Sequence, residues 1–298
     1  MPQLSGLQLA LGHRVPLLLY GTAWKEEATA ELTEAALTHG FRGLDTANCP
    51  SSYDEPLVGV GLVAALKSGI KREDLFIQSK FTPSRAHGEG KTPFNPNQDI
   101  EGQIRQSIQQ TLDHLKLDYL DSLLLHQPYP RDNDNSIAWR VFESYVPDKI
   151  RYLGVSNIQL PQIQQIYEAS TIKPVIVQNG FHRGTMYDLH VRSFCKDHGI
   201  IYQAFWTLRH NRVLLESDVV RSVGEKFGVD KGAAMYLLLL GHGDTQILDG
   251  TTKPERMEAD IKAVAEVFAN DDKLDELQPF VVEFKRLLWK LVCKIPTM

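Results

Sequence analysis

Cysteine is scarce in this chain: Cys49, Cys195 and Cys293 are an odd set of three, spread widely along 298 residues. Such a set argues against a disulfide framework, and no two have the short spacing of a zinc site. A reducing, cytoplasmic compartment is expected. Long hydrophobic runs are missing as well. Gly12, His13 and Arg14 interrupt the N-terminal stretch, so no leader is predicted. The apolar run Ala233 to Leu240 falls far short of the ~20 residues that span a bilayer. Neither sign of charge dominates, and a net charge of -5 gives no reason to expect nucleic acid or an acidic membrane as a partner. A small molecule is expected instead. His87, His114, His182, His190 and His198 do not cluster as ligands, which disfavours metal-dependent hydrolysis and predicts no metal. No Pro-, Gly- or Ser-rich linker divides the sequence, and 1–298 reads as one domain. Oligomeric state is not legible.

What the sequence does contain is alternation. Short apolar runs recur at Pro16 to Thr22, Gly43 to Ala47, Leu75 to Lys80, Tyr119 to His126, Tyr152 to Asn157, Pro174 to Asn179, Ile200 to Trp206 and Thr245 to Thr251. Stretches with helical spacing lie between them, among them Glu26 to His39, Pro56 to Ser68, Asp99 to Lys116, Leu160 to Ala169, Tyr187 to His198 and Pro254 to Ala269. Eight strands with crossover helices predict an α/β fold closed as a (β/α)8 TIM barrel. The competitor, an open doubly wound sheet, normally carries a Gly-rich phosphate turn after its first strand. Here that strand ends Tyr20-Gly-Thr-Ala-Trp-Lys25, without G-x-G-x-x-G. The segment 81–98 is long and rich in Pro and Gly, which makes it a candidate active-site loop. The tail 272–298 is predicted to form a helix packed on the barrel, with Leu274, Leu277, Phe280, Val281, Phe284, Leu287, Leu288 and Leu291 on one stripe.

In a barrel of this type the C-terminal ends of the strands carry the chemistry. Those ends are polar here: Asp45, Lys80, His126, Ser156-Asn157 and Gln178-Asn179. Singly, each residue has an ordinary explanation, such as a helix cap, a solvated strand end or a satisfied core histidine. Together, an acid, a lysine, a histidine and the nearby Tyr53 form a proton-donating set. Tyrosine's pKa near 10 is high for acid-base work at neutral pH, and an adjacent Lys80 ammonium is expected to lower it. Asp45 would keep that lysine charged, and His126 would hold a carbonyl oxygen beside the phenol.

These residues fall within segments that resemble the aldo-keto reductases: Gly43-Leu-Asp-Thr-Ala47, Tyr53-Asp-Glu55 with Val58-Gly59, Ile77-Gln-Ser-Lys80, Leu123-Leu-Leu-His126, Gly154-Val-Ser-Asn157, Val177-Gln-Asn179 and Gly250-Thr-Thr-Lys-Pro-Glu-Arg256. They stand in family order from about residue 16 to about 270. The resemblance implies NADPH-dependent reduction of an aldehyde or ketone, with a catalytic tetrad of Asp45, Tyr53, Lys80 and His126. It further implies that Ser156, Asn157 and Gln178 hold the nicotinamide amide and that Phe205, with Trp206 as competitor, stacks on its ring. Arg256 would grip the 2'-phosphate beside Thr251, Thr252 and Lys253, at a helix start signalled by Thr252-Lys-Pro-Glu255, which has the form of a capping box. Gly21, Thr22, Asp45, Thr207, Leu208 and Asp260 complete the implied cofactor contacts. Trp24, Cys49, Phe81 and Gln127 are the candidate substrate pocket.

The sequence departs from the family pattern in places. Gly250, preceded by Asp249, stands where many members have lysine, and Ala259-Asp260 stands for a glutamate-asparagine pair. The interval between Asp45 and Tyr53 is longer than in common members and resembles fungal-type relatives. At the commoner spacing the tyrosine position falls on Pro50, which has no proton to donate. The alternative to an enzyme is a nicotinamide-binding sensor with little or no turnover, against which the intact tetrad argues.

Overall fold

The structure, a computed structural model, describes residues 7–8, 14–88, 90–243 and 245–293. Glu89 of the candidate loop and residues 294–298 of the predicted C-terminal helix lie outside the described residues. A short antiparallel hairpin of β1 (Leu7–Gln8) and β2 (Arg14–Val15) precedes eight parallel strands: β3 (Leu18–Gly21), β4 (Gly43–Asp45), β5 (Phe76–Phe81), β6 (Leu120–Leu125), β7 (Ile150–Ser156), β8 (Ile176–Gly180), β9 (Ile201–Phe205) and β10 (Thr245–Asp249). They pair in chain order and close where β10 meets β3, forming the predicted (β/α)8 barrel.

Side chains alternate across the barrel wall with period two. Leu18, Tyr20, Ile77, Leu123, Leu125, Val155, Val177 and Ala204 belong to the large core between strands and helices. The opposite parity points inward, and each inward row changes character along its strand: Phe76, Gln78, Lys80; Leu124, His126; Tyr152, Ser156; Ile176, Gln178; Ile201, Gln203, Phe205. At the N-terminal end, Val15, Leu19, Phe76, Leu124, Tyr152, Ile176 and Ile201 form a separate apolar plug. Above it lies a glutamine layer. Gln203 Nε2 donates to Gln78 Oε1 (3.1 Å) and Gln246 Oε1 (2.9 Å), while its own Oε1 accepts from Gln78 and Gln178, both at 2.8 Å. These amides are buried and mutually satisfied, so they form a rigid floor for the charged groups above them.

The helices are α1 (Thr29–Thr38), α2 (Glu55–Lys67), α3 (Ile100–Leu115), α4 (Asp132–Glu143), α5 (Leu160–Ala169), α6 (Leu189–Asp197), α7 (Arg212–Leu215), α8 (Asp218–Phe227), α9 (Lys231–Leu240), α10 (Pro254–Phe268) and α11 (Asp271–Cys293). The helical spacing in the sequence did not mark α4 or the group α7 to α9. In α9 every residue from Ala233 to Leu240 is buried, so it shows no amphipathic period. It packs against α8, α10, α11 and β10. In α11, Leu277, Val281, Phe284 and Leu288 are buried against this group, with Leu274, Phe280, Leu287 and Leu291 flanking them. Among the described residues no helix is long and apolar enough to cross a membrane.

Candidate active site

Asp45 ends β4, Lys80 lies near the end of β5 and His126 directly follows β6, so all three face the C-terminal mouth of the barrel. Tyr53 reaches the same place through a tight turn. Ser52 and Tyr53 both donate their N–H to Cys49 O at 3.0 Å, and Asn48 N–H donates to Lys80 O at 3.2 Å. Asp54 then caps α2 by accepting from Leu57 N–H at 3.0 Å. Next to it, Glu55 is buried and accepts from the Ser79 hydroxyl at 2.5 Å while facing His114 Nδ1 at 3.2 Å. The residues flanking Tyr53 therefore serve its placement.

Asp45 is saturated with donors. Its Oδ2 accepts from Lys80 Nζ at 2.6 Å, and its Oδ1 accepts from Gln78 Nε2 at 2.7 Å and Gln178 Nε2 at 2.8 Å. Lys80 Nζ also donates to Thr46 O at 2.9 Å and lies 3.5 Å from the Tyr53 hydroxyl. Lysine and aspartate are both fully buried, an arrangement that holds only because each charge is paired and hydrogen-bonded. Burial lowers the Lys80 pKa, but Asp45 and Tyr53 outweigh it and the net direction is up, so the ammonium is retained.

Tyr53 differs from the sequence expectation. Burial raises its pKa more than Lys80 lowers it, with Asp45 opposing the lysine, and the net shift is upward. The phenol is therefore held protonated. His126 is pushed down to about 3 by burial first and then by Lys80 and His87, so its imidazole is neutral. Its Nδ1 lies 2.7 Å from Thr82 Oγ1, and its ring meets Tyr53 edge-on at 6.0 Å between centroids.

A cavity of about 600 Å³ opens over these groups and runs along the mouth to the start of α10. It brings together Gly21, Trp24, Asp45, Tyr53, His126, Ser156, Asn157, Gln178, Phe205, Trp206, Thr207, Leu208, Thr251, Arg256 and Asp260. Gln178 spends its Nε2 on Asp45 and Gln203, leaving its Oε1 without a protein partner among the described residues. Phe205 and Trp206 both line the cavity, and Trp206, half exposed with a left-handed φ of 59°, offers the larger open face.

Several expected residues do not line it. Phe81 has the parity opposite to Lys80, so it points into the helix layer and stacks on Phe94 at 5.6 Å. Thr22 is buried and donates to Asp45 O at 3.0 Å. Cys49 is buried beside Ser51 Oγ, at 3.2 Å, and Gln127 lies outside the cavity. Thr252 and Lys253 are exposed beyond its edge, and none of the described residues of 82–98 reaches it. Pro93 and Gln98 instead hold Gln110 and Gln103 of α3. The capping box is not formed either: Lys253 is the N-cap of α10 and no side chain caps it; Pro254 has no N–H and Arg256 N–H donates to Lys253 O at 2.9 Å, which leaves the Glu255 N–H as the open amide of the first turn among the described residues.

The cavity also contains residues that the sequence reading passed over. Lys25 Nζ donates to Gly250 O, and a Cβ on Gly250 would lie 3.7 Å from that ammonium. Asp230, the N-cap of α9, and Gly232 and Tyr236 within that helix also line the cavity. Asp249 lines the wall beside Asp260, whose pKa is raised to about 8 by burial and then by Asp249. The only signal for Lys25 was its place after Trp24 in the β3–α1 loop. The α9 residues gave none, because that helix was not recognised.

The profile of the Aldo/keto reductase family matches residues 17–223. Glyoxal reductase of Bacillus subtilis (strain 168) is 34% identical over 221 residues, covering 73% of this chain and 71% of the relative. The uncharacterized oxidoreductase YtbE of the same organism is 33% identical over 265 residues, covering 86% and 85%. The fold is shared with an aldose reductase from Schistosoma japonicum, with a TM-score of 0.74 at 24% identity over 93% of this chain and 91% of that one.

Proposed function

The chain belongs to the aldo/keto reductase family of oxidoreductases, and we propose that it reduces an aldehyde or ketone to the alcohol with NADPH, using Tyr53 as proton donor. The observation that carries this reading is the buried Asp45–Lys80–Tyr53 chain opening, beside a neutral His126, onto a cavity that continues to Arg256. The cavity's lining suits a nicotinamide dinucleotide: an unpartnered amide oxygen on Gln178 to accept a hydrogen bond, open aromatic faces on Phe205 and Trp206, and at the far end Lys25, Arg256 and an uncapped helix start. Bound there, the reduced nicotinamide supplies a hydride to the carbonyl carbon.

The protein's own residues control the proton. Burial keeps the Tyr53 phenol protonated until negative charge develops on the substrate oxygen, which then takes its proton. The Lys80 ammonium, 3.5 Å away, stabilises the phenolate left behind, and Asp45 keeps the lysine charged. In the tautomer in which His126 Nδ1 accepts from the Thr82 hydroxyl, the imidazole proton stays on Nε2, where it binds the carbonyl oxygen. Trp24 and Ser52, the latter at the end of the lengthened 46–52 turn that resembles that of fungal-type relatives, form the rim where substrate enters. The chain acts as a single barrel domain in the cytoplasm.

Tyr53→Phe is the decisive test, because it removes a proton donor and almost no volume. Carbonyl reduction should fall roughly 100- to 10,000-fold, as expected for loss of a general acid, while NADPH affinity by fluorescence titration stays near wild type. Turnover within a few-fold of wild type would overturn the assignment.

A further inference from the structure

A second cavity, about 290 Å³ in volume, lies on the outer side of the barrel between α6, the start of β9, the turn after α9, and α11. We propose that it is a binding site for a small phosphate-bearing anion, distinct from the cavity at the barrel mouth. At its base is Arg192. One guanidinium nitrogen donates to His242 Nδ1 at 2.6 Å and another reaches Tyr187 O at 3.5 Å, while the group sits over the rings of Phe181 (5.4 Å) and Tyr202 (5.9 Å). All of these partners are uncharged: His242 accepts the bond, and burial, then Arg192 and Lys285, hold its pKa well below the usual value. A guanidinium has five N–H donors, and most of Arg192's have no acceptor among the described residues.

Two more cations stand at the rim, Lys196 on α6 and Lys285 on α11, both exposed. Among the described residues, no carboxylate forms an ion pair with Arg192, Lys196 or Lys285. The acid acting on Arg192 is Asp188, which accepts from Asn179 Nδ2 at 2.6 Å and whose own pKa is raised by burial. Lys285 is lowered by burial and then by Lys196 and Arg192, which indicates that like charges converge on one space. A protein gathers three cations around a half-buried cavity at a cost in repulsion, and an anion of charge near two offsets it. Phosphate fits better than a lone carboxylate, since its several oxygens engage the guanidinium fork and both ammonium groups at once. Trp289, 62% exposed on the rim, offers a flat apolar face to the remainder of a phosphomonoester.

The test is calorimetric titration with inorganic phosphate in the Arg256→Ala protein, where the Arg256 guanidinium is removed from the barrel mouth and the competing signal there is weakened. One saturable site is expected. Lys196→Gln with Lys285→Gln, both at exposed positions where folding is safe, should weaken it roughly tenfold or more, and Arg192→Gln should abolish it. Trp289 fluorescence should respond to phosphate in the same protein and lose that response in the double lysine variant. Absence of saturable binding in Arg256→Ala, or equal affinity in the double lysine variant, would overturn the proposal. Saturable binding of citrate with phosphate silent would overturn the phosphate assignment.

Discussion

Asp249 and Asp260 line the same end of the main cavity as Lys25 and Arg256, so the charge presented there depends on whether the acids hold a proton. Asp260, raised to about 8, keeps its proton through neutrality. A carboxyl whose folded pKa exceeds its unfolded value contributes stability that is complete below the unfolded value, near 3.9, and is lost as pH rises through about 8. Asp260→Asn should therefore flatten the fall in Tm between pH 4 and pH 8.5, gaining most on wild type at the alkaline end. Parallel Tm curves for the two proteins would show that the proton lies elsewhere. Lys25 bears on the proposed cofactor site in the same region, because its ammonium occupies the space beside Gly250. Lys25→Met and Arg256→Ala should each weaken NADPH about tenfold, the scale of a charge-assisted hydrogen bond, and NADH far less. Equal losses for the two cofactors would place the phosphate away from these residues.

Among the elements, α2 shows why a small residue is needed close to the site. A Cβ on Gly59 would sit 1.9 Å from His114 O at the end of α3, and one on Gly61 would sit 2.3 Å from Ala30 O in α1. The helix is thus seated by two backbone-to-backbone approaches, and it begins one residue after Asp54, directly beyond Tyr53. Gly59→Ala is expected to cost about 3 kcal/mol or more, since the obstacle is backbone and cannot turn aside. Urea unfolding would measure that loss, and a midpoint equal to wild type would mean that α2 shifts freely. The chain's Val58-Gly59 signature was legible as a motif, but its purpose as a packing contact needed the position of α3.

For the whole molecule, α11 joins the last quarter of the chain to the barrel by burying Leu277, Val281, Phe284 and Leu288 against α8, α9 and α10. Phe284 is fully buried, and its ring also meets His242 edge-on at 5.9 Å. Phe284→Ala should destabilise the fold by about 3–5 kcal/mol through lost burial and the cavity it leaves. A loss under about 1 kcal/mol in chemical denaturation would show that α11 unfolds independently of the barrel. Its stripe was readable because one face alone is apolar. The all-apolar α9 was not, because a helix buried on every side has no period to detect.

The sequence by itself determined the barrel, since eight apolar runs alternating with helical spacing admit few other closures. It also singled out Asp45, Lys80 and His126 as candidates, because polar residues ending apolar strands stand out against their surroundings, with Tyr53 in the turn that follows the first of them. Only the tertiary structure decided which way each side chain faces. The parity that turns Lys80 inward turns Phe81 into the helix layer. Spatial neighbours distant in sequence, such as Lys25 with Gly250 and Thr82 with His126, exist only once the strands are side by side. The direction of the Tyr53 pKa also required the fold, because it depends on how completely burial surrounds the phenol. Sequence spacing registers the lysine's proximity but not the loss of water.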